Sequence, residues 1–100
     1  MSPVNINVVK EIIEFMRRFG GYYAEWYVGI TDEPRSVLFN EHHVNEKSNS
    51  WIFKNTDSGE TAKACQEYIM NYYYTDGDED GVSDSSTYVY AYRKMPQTVP

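Results

Sequence analysis

One hundred residues suffice for one domain with a modest core and are too few for two. Fifteen Asp and Glu oppose nine Lys and Arg, for a net charge of −6, and basic residues adjoin only at Arg17-Arg18 and Arg93-Lys94; nucleic-acid binders carry a stronger basic footprint, so that class is disfavoured. The single cysteine, Cys65, cannot form an internal disulfide, and no apolar run nears the roughly 20 residues of a membrane helix, which predicts a cytoplasmic chain with no membrane contact.

The start MSPVNINVV lacks a basic region followed by an apolar block, so no secretion signal is expected. Residues 5–19 carry Val8, Val9, Ile12, Ile13, Phe15, Met16 and Phe19 at helical period, with Lys10, Glu11, Glu14, Arg17 and Arg18 opposite. Gly20-Gly21 should end this helix. YYAEWYVGIT is rich in aromatic and β-branched residues and predicts a strand from about Tyr22 to Ile30. Thr31 or Asp32 is placed to cap a second helix, with Glu33 and Pro34 in its first turn, running to about His43.

Asn45 to Ser50 reads as a polar loop and WIFKN as a short strand. Asp57-Ser58-Gly59-Glu60 resembles a capping box. The helix it opens should run to about Tyr73 and bury Ala62, Cys65, Ile69 and Tyr72. After an acidic loop, Thr87 to Arg93 alternates strictly, with Tyr88, Tyr90 and Tyr92 on one face and Val89 and Ala91 on the other. The tail, residues 95–100, is expected to be loose beyond an ordered core of about 5–94. The order α-β-α-β-α-β predicts a small α/β (α+β) single domain spanning residues 1–100, with a three-stranded sheet packed by helices.

The acidic loop DGDEDGVSDSST holds five acids, and without them ten acids face nine bases. Asp76, Asp78, Asp80 and Asp84 are spaced as oxygen ligands of a calcium loop, with Gly81 at the turn. The closing position, which requires a bidentate glutamate, is Thr87, and a strand follows where a helix belongs. A solvated connection is the leading reading. Weak calcium or magnesium binding and an acidic partner surface are the alternatives, and no other cofactor is expected.

The segment Tyr27-Val28-Gly29-Ile30-Thr31, followed by Leu38 and a histidine at 42 or 43, resembles the second motif of the GIY-YIG nuclease superfamily. That resemblance implies a strand leading into a helix, and a later helix corresponding to Ala62–Ile69. It also implies an arginine that steadies the scissile phosphate and a glutamate that holds a divalent metal. In this chain the arginine position is Val37 and the glutamate position is Gln66. Arg35 lies two residues before Val37, about 200° around a regular helix, and Glu67 falls on the outer face beside Lys63. The first strand of the family pattern is absent from its usual place. The strand TYVYAY could take that place in the sheet, giving a permuted arrangement.

Three functions follow. The foremost is a non-catalytic interaction module on this GIY-YIG-like scaffold, binding a protein through Tyr88, Tyr90, Tyr92 and Trp26 together with the acidic loop. A divergent metal-dependent nuclease would use Tyr27, His42, Glu67 and the acids of the loop. An acidic mimic of nucleic acid would occupy a basic partner's groove. Trp26, Trp51 and the tyrosines could equally line a homodimer seam.

Overall fold

The computed structural model describes residues 4–77 and 86–100. Helix α1, Ile6–Phe19, starts at Asn5, whose side-chain oxygen accepts from the amides of Asn7 and Val8 at 3.1 and 3.2 Å. It ends at Gly20, with φ of 84°, whose amide donates to the Met16 carbonyl at 2.9 Å. The strand expected from Tyr22 begins later. Residues 23–25 form a tight turn in which the Glu25 carboxylate accepts from the Tyr22 amide at 2.7 Å, so β1 is Trp26–Thr31.

The second helix is also shorter than its sequence suggests. Regular α2 spans only Pro34–Ser36, and Val37–Glu41 widens into a π turn closed by the His42 amide on the Val37 carbonyl at 2.9 Å. Thr31 belongs to β1, and its hydroxyl accepts from the Glu33 amide at 3.0 Å. The wider turn seats both Leu38 and His42 against the sheet, where both are buried.

Strand β2, Trp51–Asn55, leads to α3, Gly59–Tyr73, which is capped by Ser58 through the Thr61 amide at 3.0 Å. Tyr74 adopts a left-handed φ of 61° and stops the helix. The next pair, assigned to a loop by sequence, is instead strand β3, Asp76–Gly77. With β4, Tyr88–Arg93, it gives a mixed sheet of four strands in the order β2-β4-β1-β3, not three. Strand β4 runs antiparallel to both β1 and β2, while β3 runs parallel to β1. Gly77 is required there, because a Cβ would overlap the Val28 carbonyl and approach Met70 Sδ to 2.8 Å. The result is a small α+β domain, with no helix among the described residues long and apolar enough to cross a membrane.

The register assigns the two sheet faces, since directly opposed residues project to the same side. Trp26, Val28, Val89 and Ala91 pack against α1 and α3 with Ile12, Met16, Cys65 and Ile69. Tyr27, Tyr90 and Tyr92 project to the other side and pack with Leu38 and Val44. The alternation of β4 is therefore as its sequence predicts. Helix α3 buries Ala62, Cys65 and Ile69 as expected, but Tyr72 is 69% exposed, and Gln66 is fully buried. Its amide donates to the Val28 carbonyl at 3.0 Å.

The tail expected to be loose makes defined hydrogen bonds. Residues 95–98 close a turn in which the Thr98 amide and hydroxyl donate to the Met95 carbonyl at 3.0 and 2.8 Å. The Val99 amide then donates to the His42 carbonyl at 2.7 Å.

Candidate functional site around His42

The aromatic face gathers its chemistry at one corner. The backbone of β1 places Tyr27 opposite Tyr92, and the π turn brings the His42 ring to 4.8 Å from Tyr27 and 5.0 Å from Tyr92, centroid to centroid. His42 Nδ1 lies 2.7 Å from the Val99 carbonyl, and Nε2 lies 2.7 Å from the Tyr90 hydroxyl. A carbonyl only accepts, so Nδ1 carries the proton, and in the neutral ring Nε2 accepts from Tyr90. The Tyr92 hydroxyl stands 3.1 Å from Nδ1 and 3.4 Å from the same Val99 carbonyl. Burial pushes the Tyr92 phenol well above its ordinary pKa, and the neighbouring Tyr27 and Asp76 add to the effect.

Gly29 makes this corner possible. It sits opposite Tyr90 in the ladder, and a Cβ there would overlap the Tyr90 hydroxyl and ring. The bare backbone lets the tyrosine lie flat across β1 and reach His42. This close approach was not anticipated from the sequence, although a glycine inside an otherwise aromatic and β-branched strand is a signal that could have shown it. The part played by Val99 had none.

The other candidate residues are dispersed. Glu67 is on α3, across the sheet from Tyr27, half-exposed and paired with Lys63 at 3.9 Å. Arg35 lies on the aromatic side, but its guanidinium rests 5.7 and 5.6 Å from the Trp51 and Phe53 rings and pairs with Glu46 at 3.3 Å. The regular-helix rotation expected to turn it away does not apply to so short a helix; stacking and the ion pair hold it instead. Trp26 is fully buried on the helix face, with its indole N–H donating to the Gly20 carbonyl at 3.2 Å.

Tyr90 and Tyr92 are 4% and 0% exposed, so they do not form the open contact surface their alternation suggests. Tyr88 is half-buried and remains accessible beside Phe53. Of the proposed metal ligands, Asp78, Asp80 and Asp84 lie outside the described residues. Asp76 shares a rung with Tyr27 and pairs with Lys94 at 3.2 Å. Among the described residues, no group of three His, Cys, Asp or Glu is placed to hold a metal ion.

Comparison with known protein families, curated proteins and solved structures found no match.

Proposed function

We propose that this chain is a non-catalytic interaction module on a permuted GIY-YIG-like scaffold. Pairing of β4 with β1 along the whole of WYVGIT supports the permuted arrangement. One observation carries the non-catalytic reading: Arg35 and Glu67 stand on opposite sides of the sheet, each neutralised by its own partner, Glu46 and Lys63. The carboxylate nearest Tyr27 in register, Asp76, is likewise matched by Lys94. Phosphate-ester cleavage needs positive charge and a metal-bound nucleophile converging on one point, and these groups do not converge.

The partner surface is the accessible rim of the aromatic face: Arg35, Trp51, Phe53 and Tyr88. Trp51 and Phe53 stack at 6.0 Å, and arginine and aromatic residues of this kind anchor protein interfaces. The test is a supercoiled-plasmid assay with magnesium or manganese at high protein concentration. No nicking is expected, and nicking abolished by Tyr27→Phe would overturn the proposal.

A further inference from the structure

We infer that the corner made by His42 and Tyr92 is a binding site for a peptide main chain, filled in this protein by its own residues 95–99. The inference rests on the interaction-module reading and gives it a ligand class. Both main-chain groups of Val99 are read by one residue: its amide donates to the His42 carbonyl at 2.7 Å, and its carbonyl accepts from His42 Nδ1 at 2.7 Å. The Tyr92 hydroxyl contacts the same carbonyl at 3.4 Å. Val99 as a whole, by contrast, is 49% exposed. The corner therefore recognises a backbone and makes no demand on the Val99 side chain, which is how an added strand is read by a sheet edge.

The segment that fills it is built as a detachable unit. Its polar groups are satisfied largely within itself: the Met95 amide donates to Thr98 Oγ1 at 2.9 Å, and the Thr98 amide and hydroxyl both return to the Met95 carbonyl. Pro96 sits at the bend and presets it. At the rim, the Gln97 amide reaches Asn49 Oδ1 at 2.8 Å. Met95 and Val99 stay 42% and 49% exposed, so within this segment only Thr98 is buried by docking. Such a tethered ligand competes at an effective concentration of order mM. An extended segment of a protein partner offering one N–H and one C=O can make the same two bonds.

His43 supplies an internal reference, because it is exposed whereas its neighbour His42 is buried. With diethyl pyrocarbonate, the unaltered chain should carbethoxylate at His43 and react at least tenfold more slowly at His42. Val99→Pro removes the donated N–H, and Thr98→Ala with Val99→Pro also unlocks the turn; in both, His42 should approach the His43 rate while near-UV circular dichroism stays native. Acetyl-Met-Pro-Gln-Thr-Val-Pro-amide at mM concentration should restore protection in the double variant, and the same peptide N-methylated at its valine should not. In the unaltered chain the peptide should also hasten hydrogen exchange at the Val99 amide by displacing the tail, a readout that needs no variant. Continued protection of His42 in both variants would overturn the claim that Val99 covers it. Failure of the peptide both to protect the double variant and to hasten exchange would overturn a main-chain site. Either result would leave the non-catalytic reading standing, since that depends on the plasmid assay.

Discussion

The two faces of this sheet are stabilised in different ways. On the helix face, Val8, Val9, Ile12, Ile13, Met16, Cys65 and Ile69 interlock with Trp26, Val28 and Val89, and their contribution is mainly the removal of apolar surface from water. On the aromatic face, Tyr27, Tyr90, Tyr92 and His42 bury rings whose polar tips must be paired. The first arrangement tolerates exchange of similar shapes. The second fixes particular atoms at particular distances. Stability should therefore concentrate on one side of the sheet and positional specificity on the other.

The largest expected effect tests the first half of that contrast. Trp26→Ala removes a fully buried indole packed edge-on against Phe15 at 5.9 Å and should cost about 3–5 kcal/mol in urea unfolding. Trp51→Ala, on the half-exposed rim of the other face, should cost about 1 kcal/mol. Equal losses would mean that the aromatic face carries as much of the stability as the helix face.

The sequence made the helix face legible because one periodicity governs it. The apolar stripe of α1 and the alternation of β4 each follow from a single geometric rule, and the observed Val8–Met16 stripe and Val89–Ala91 face obey it. Helix α3 was harder to read: only tertiary contact explains why Gln66 turns inward to the Val28 carbonyl while Tyr72 turns out. The aromatic corner depends on meetings between distant segments. Tyr90 meets His42 across 48 positions, and Val99 meets it across 57. No local pattern encodes such distances, so residues 95–100 resembled a loose tail and the end of α2 resembled an ordinary helix. The edge strand Asp76–Gly77 was hidden for a related reason: two residues are too few to show alternation.

Gly29→Ala probes the aromatic face with an intermediate effect. The new methyl would lie within 2.7 Å of Tyr90 Cε1 and must displace a buried ring that is hydrogen-bonded to His42. Overpacking of this kind costs about 1–3 kcal/mol. In a Tyr90→Ala background the added cost of Gly29→Ala should largely vanish, so the double variant should be more stable than the sum of the single losses implies. Simple additivity would show that Gly29 serves backbone freedom and not the passage of Tyr90.

The smallest effect is the most specific to this face. Tyr92→Phe keeps the ring and deletes a buried hydroxyl, while His42 Nδ1 retains the Val99 carbonyl as its acceptor; the cost at neutral pH should be about 0.5–1.5 kcal/mol. Its pH dependence carries the sign. The folded protein raises the Tyr92 pKa above its ordinary value of 10.0, because burial penalises the phenolate. Folding thus favours the neutral phenol, so the associated stability is fully present below about pH 10 and is lost as pH rises beyond it. Urea midpoints measured between neutral and strongly alkaline pH should fall less steeply for Tyr92→Phe than for the unaltered chain above that point. Parallel curves would mean that the Tyr92 hydroxyl reaches solvent. The aromatic face would then be an open surface, and its contrast with the apolar helix side would reduce to ring count.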